Sequence, residues 1–97
     1  MEARLAREVQ RRGGVCHKLA ATQKGLPDRL VVLHGAVWFL EVKTATGRLS
    51  DAQRHRLHQL GAAGANTAVL YGAAGVDAWI ATQDKDGTPW KTRNESF

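Results

Sequence analysis

Residues 25–43 read Gly25-Leu26-Pro27-Asp28-Arg29-Leu30-Val31-Val32-Leu33-His34-Gly35-Ala36-Val37-Trp38-Phe39-Leu40-Glu41-Val42-Lys43. Two aliphatic and β-branched runs, Arg29 to Leu33 and Val37 to Lys43, flank the tight-turn signal His34-Gly35-Ala36. The stretch therefore predicts a β-hairpin. Side chains alternate faces along a strand, so Val37, Phe39, Glu41 and Lys43 share one face and Trp38, Leu40 and Val42 the other. If the loop is the two residues His34 and Gly35, Leu33 faces Ala36, and counting back sets Asp28 opposite Glu41. Cross-strand partners have Cβ atoms roughly 4.5–5.5 Å apart. Two carboxylates at that spacing can share one hard cation, with Lys43 beside them. A three-residue loop or a bulge would move the pair to a diagonal, still within reach.

Outward from the hairpin, residues 2–12 read as a helix with Leu5, Ala6 and Val9 on one stripe, stopped by Gly13-Gly14. Val15 to Leu19 reads as a short strand and Ala20 to Pro27 as a loop. Ser50-Asp51-Ala52-Gln53 is a capping box opening a second helix that ends near Gly61 or Gly64. Thr67 to Tyr71 reads as the last core strand. Residues 73–81 fit helix and strand equally. The order is α-β-β-β-α-β, an α/β fold with a mixed central sheet. One folded domain is expected over residues 1–82, followed by a polar C-terminal tail over 83–97 that carries Asp86-Gly87, Pro89 and Trp90.

The chain has 97 residues, of which 43% are hydrophobic, enough for one core without covalent staples. Its single cysteine, Cys16, excludes an internal disulfide, suits a reducing cytoplasm and reads as a buried, inert thiol. No apolar run approaches the ~20 residues of a membrane span. The N-terminus has no signal-peptide core. A soluble cytoplasmic protein with no membrane partner is expected. The net charge of +5 favours an anionic partner, and nucleic acid is the usual one. The bases are grouped: Arg4, Arg7, Arg11 and Arg12, then Lys18 and Lys24, then Arg48, Arg54, His55, Arg56 and His58.

The chemistry needs these residue types. Mg²⁺ prefers an octahedron of oxygens and keeps several waters, so one or two carboxylates and a phosphate oxygen suffice. Such a cation polarises the phosphoryl group and activates water. Lys43 can orient that water, stabilise the pentavalent charge or help to take the water's proton. A third carboxylate comes from the first helix. At 100° per residue, Glu2 falls within the apolar stripe, where a carboxylate is costly unless a cation receives it. Glu8 lies off the stripe and reads as a surface residue. A Glu-x-Lys pair alone is weak, because strands carry it as a solvated pair; Pro27-Asp28 at the right distance upstream strengthens it.

The chain resembles the VRR-NUC family, a branch of the PD-(D/E)xK nuclease superfamily. The matching pieces are Glu2 with Leu5, Val9 and Gly13-Gly14, then Lys18, then Gly25-Leu26-Pro27-Asp28-Arg29. Phe39-Leu40-Glu41-Val42-Lys43, Gly47, Leu49-Ser50-Asp51-Ala52-Gln53, Leu60 with Gly64, and the strand containing Val69 follow in order. The match spans roughly residues 2–71 and weakens beyond. The resemblance implies a restriction-endonuclease-like core with Mg²⁺ or Mn²⁺ as cofactor, held by Asp28, Glu41 and the main-chain carbonyl of Val42. It implies Lys43 as the catalytic lysine, with Glu2 and Gln53 completing the site. Lys18, Lys24, Arg29, Arg48 and Arg54 are the expected nucleic-acid contacts. Stand-alone members of this size are similar to phage and bacterial proteins that act as homodimers on branched DNA such as Holliday junctions.

Other readings stand beside this one. The protein is alternatively a non-catalytic nucleic-acid-binding module on a nuclease-like scaffold, or a structural protein whose acidic cluster forms ion pairs. Gln53 is also N3 of a capping box and need only bind the Ser50 main chain. His55 and His58 read as a solvated face, His34 as a turn residue and His17 as a candidate phosphate contact. Trp38 lies opposite Glu41 and reads as core or dimer packing. Trp79, Ile80 and Trp90 are candidates for a dimer interface.

Overall fold

The computed structural model describes residues 1–20 and 22–85. The hairpin consists of β2 (Arg29–Leu33) and β3 (Ala36–Lys43), paired antiparallel with Leu33 against Ala36 and Arg29 against Leu40. His34 and Gly35 form the two-residue turn, with φ of 50° and 80°. A turn that matches the twist of its strands needs positive φ at both central residues. Glycine adopts it without steric cost, and histidine is among the side chains that tolerate it.

The short strand β1 (Val15–Lys18) adds antiparallel to β2, and β4 (Asn66–Tyr71) adds parallel to β3. The sheet order is β1-β2-β3-β4. Parallel neighbours need a crossover, and α2 (Asp51–Ala62) supplies it. The capping box is formed: Gln53 N–H donates to Ser50 Oγ at 3.1 Å, and Ser50 N–H donates to Gln53 Oε1 at 2.9 Å. Beyond Ala62, the Ala65 N–H closes on the Leu60 carbonyl at 2.9 Å, so the helix stops between the two expected glycines.

The register puts Val31, Leu33, Leu40, Val42 and Leu70 on one face of the sheet. Leu5 and Val9 of α1 (Glu2–Arg11) and Val76, Trp79 and Ile80 of α3 (Gly72–Lys85) bury against them. Trp38 meets Trp79 edge-to-face, with ring centroids 5.6 Å apart. Cys16, expected to be buried, is half-buried against the same cluster, and desolvation pushes its thiol pKa up.

Two expectations change here. Residues 73–81 are helical, and α3 runs on to Lys85, past Thr82, with Gln83 buried. Trp79 and Ile80 are 7% and 4% exposed inside the protomer core, so they cannot also form a dimer interface. Residues 86–97, with Trp90 and most of the expected tail, lie outside the described residues. Among the described residues, no helix is long and apolar enough to cross a membrane.

A charged cluster holds the hairpin turn against both helices. Asp84 accepts from Arg12 Nε at 2.9 Å and is 2.9 Å from His34 Nε2, while Arg12 also reaches Glu8 at 3.1 Å. The His34 hydrogen bond, with Arg12, lowers the Asp84 pKa below its ordinary value. A carboxylate with a lowered folded pKa stabilises above its unfolded pKa and loses that contribution as pH falls through the folded one. Asp84→Asn is thus expected to lower stability at neutral pH by on the order of 1 kcal/mol or less at this partly exposed site, and the melting temperature with it. Thermal melts should show the difference shrink as pH falls below the ordinary carboxylate range.

Candidate active site

Asp28 stands one residue before β2, and the ladder continued by one step sets it opposite Glu41. Several contacts fix it there. Leu19 N–H donates to the Asp28 carbonyl at 2.8 Å, extending the β1–β2 pairing. Pro27 is fully buried. Arg56 Nε donates to the Lys24 carbonyl at 3.3 Å, tying the preceding loop to α2.

Glu41 is 2% exposed, and its Oε1 is buried without a hydrogen-bond partner. Its carboxyl is pushed up to about 8, first by burial and then by the hydrogen bond to Asp28 and that residue's charge. Lys43 opposes the shift, and Glu2 adds slightly to it. Two carboxyl groups pressed together in a dry place must hold either a proton or a cation between them. Glu41 Oε1, an unpartnered carboxylate oxygen beside a second carboxyl, suits a cation ligand. Lys43 follows on the same face, and the pattern read from the hairpin is realised.

The other expected residues divide. Glu2 meets Arg29 instead of the pair, with Oε1 3.6 Å from Nη2 and the side chain 44% exposed. Arg29 is turned inward at 15% exposure, which sets it apart from the displayed bases. Gln53 spends its amide oxygen on the helix cap, so any contact with substrate falls to its amide nitrogen. Lys18, Lys24, Arg48 and Arg54 are exposed. Three of the four N-terminal arginines are engaged, Arg4 with Asp77 at 2.8 Å, Arg11 with Glu8 at 2.9 Å and Arg12 with Asp84, and Arg7 is exposed. Among the described residues no three His, Cys, Asp or Glu side chains form a metal-holding group. His55, His58 and His17 are exposed.

Sequence reasoning missed Tyr71. It pairs with Lys43 across the β3–β4 ladder, so it shares that face. The parity of the last strand was visible, but its register against β3 was not.

A family model for the VRR-NUC domain matches residues 2–74. A solved VRR-NUC domain is 30% identical with a TM-score of 0.69, over 82% of this chain and 94% of that one. The structure of Hjc, a Holliday junction resolvase from the archaeal hyperthermophile Archaeoglobus fulgidus, shares the fold. Its TM-score is 0.56 at 21% identity, over 72% of this chain and 63% of that one. No curated protein is significantly similar to the chain.

Proposed function

Because the chain belongs to the VRR-NUC nuclease family, we propose that it is a metal-dependent DNA endonuclease that cuts branched DNA as a homodimer. The observation that carries this is the buried Glu41, with its unpartnered oxygen, beside the half-buried Asp28 and flanked by Lys43. The donor set suits a hard cation: Asp28, Glu41 and the main-chain carbonyl of Val42 would hold Mg²⁺ or Mn²⁺. When bound, the cation supplies Lewis-acid polarisation of a phosphodiester oxygen and neutralises the carboxylate pair. Lys43 orients the attacking water and offsets negative charge growing on the phosphoryl oxygens. The exposed Lys18, Lys24, Arg48 and Arg54 hold the flanking backbone, which makes affinity salt-dependent.

The Archaeoglobus protein is a Holliday junction resolvase, which makes the four-way junction the first substrate to try. A junction presents two symmetric strands, and a two-fold dimer brings two sites to them. The test incubates the protein with junction, flap, bubble and linear DNA in Mg²⁺, Mn²⁺ or EDTA. Branched DNA should be cut only with metal, and the protein should sediment at twice the 10.6 kDa chain mass. No cleavage of any substrate, or undiminished cleavage by Lys43→Ala, rejects the enzyme reading. Metal-independent, salt-sensitive binding alone would support the binding-module alternative.

A further inference from the structure

Beside Lys43 lies a cavity of about 580 Å³ lined by Tyr71, Arg48, Arg54, Asp51 and the loop around Gly47. That volume is within the roughly 300–1,000 Å³ of small-ligand pockets. Tyr71 is Lys43's direct strand partner and is 40% exposed. The loop presses on the same lysine: a Cβ at Gly47 would stand 3.2 Å from Lys43 Cβ. Through the Tyr71–Lys43 pairing the cavity adjoins the end of the strand that carries Glu41 and Lys43, although neither they nor Asp28 line it.

Its walls combine one aromatic ring with two guanidinium groups. Arg54 touches Asp51 at 3.2 Å, but both side chains are exposed and the pair is weak. A ring beside cations suits a nucleotide, whose base stacks while its phosphate is held. Resting on the nuclease reading above, we propose that this cavity receives an unpaired base flanking the scissile phosphate. The base stacks on Tyr71, and its phosphate is held by Arg48 and Arg54. A paired base is already stacked in its duplex and cannot enter without being extruded. The site thus favours DNA whose bases at the cut are unpaired, as beside a flap, or cheaply unstacked, as at the crossover of a four-way junction.

The test places an abasic residue, or 2-aminopurine, at each position flanking the cleavage site of a branched substrate. For the wild type, one abasic position should lower kcat/KM about tenfold or more. Tyr71→Ala should lose a similar factor on intact DNA and be indifferent to the abasic residue, while Tyr71→Phe keeps the wild-type pattern. Arg48→Ala, on an exposed loop, should lower kcat/KM severalfold through a raised KM, and an unchanged kcat/KM would count against the phosphate contact. In EDTA, binding should quench 2-aminopurine for wild type and Tyr71→Phe but not for Tyr71→Ala. An equal abasic penalty in Tyr71→Ala and wild type, or equal quenching by both, overturns the proposal. Tyr71-dependent quenching without cleavage in metal would sink the nuclease reading and keep the cavity. Cleavage without Tyr71-dependent quenching does the reverse. Melting curves of the variants confirm that they fold.

Discussion

Glu41→Gln is expected to yield a protein that is inactive yet more stable than the wild type at alkaline pH. The inactivity follows, on the proposed metal-dependent reading, from replacing a charged cation ligand with a neutral one. Losing a cation's several kcal/mol at the transition state costs about a thousandfold or more in rate. The stability follows from the raised Glu41 pKa. Its carboxyl titrates near 4.5 when unfolded and at about 8 when folded. Between these values the folded protein binds more protons than the unfolded chain, so stability falls as pH rises through that window. It is fully present below about pH 4.5 and lost above about pH 8. Glutamine carries no proton to lose, and its amide can donate to Asp28 at every pH. The gap should be small near pH 5 and reach on the order of 10 °C near pH 9, from a difference of a few kcal/mol. Mn²⁺ should close it by lifting only the wild type, since binding to the folded state alone stabilises it. Melting temperatures for both proteins at the two pH values, with and without Mn²⁺, measure all of this. A gap that ignores pH would mean the carboxyl pair is not buried as described.

Gly25→Ala is expected to be the most disruptive single-methyl change. Gly25 has φ +85°, where an L side chain is strained. Its added Cβ would also stand 2.5 Å from the Ala52 carbonyl carbon and 2.9 Å from the Gln53 nitrogen, closer still to the Ala52 oxygen. Those atoms are helix backbone and cannot rotate aside. Strain and overpacking together should cost about 3 kcal/mol or more, a fall of roughly 15 °C in melting temperature. The loop carrying Asp28 would be levered away from α2, so cleavage should fall beyond what unfolding explains. Gly13→Ala is the control. Gly13 has φ +79° but nothing within 4 Å of the added Cβ, so it should lose only about 1 kcal/mol. Equal losses in the two variants would remove the close approach as the reason for glycine at position 25.

The hairpin was readable from one dipeptide, although its register was conditional on the loop length. His34-Gly35 admits a two-residue turn, and every cross-strand pair follows by counting, including Asp28 opposite Glu41. The capping box was equally local. α3 was harder because its buried stripe of Val76, Trp79, Ile80 and Gln83 ends on a polar residue and begins among small ones. A tail boundary drawn at Thr82 cut that stripe before its last turn. The partners of Glu2 were not readable either. Helical periodicity placed it toward the sheet, but whether it met Arg29 or the carboxylate pair depended on how far α1 slides along β2. Likewise the cavity beside Lys43 needed the parallel register of β4, which no turn residue encodes.

The Arg12–Asp84–His34 cluster has a practical consequence. Asp84 sits against the hairpin turn, one residue before Lys85. From that turn to Asp28 is the full length of β2, five residues or about 17 Å. A fluorophore or surface tether attached at Lys85 would therefore be anchored at the end of the sheet remote from the carboxylates. Single-molecule work could immobilise the protein there and leave the end that carries Asp28 and Glu41 unobstructed.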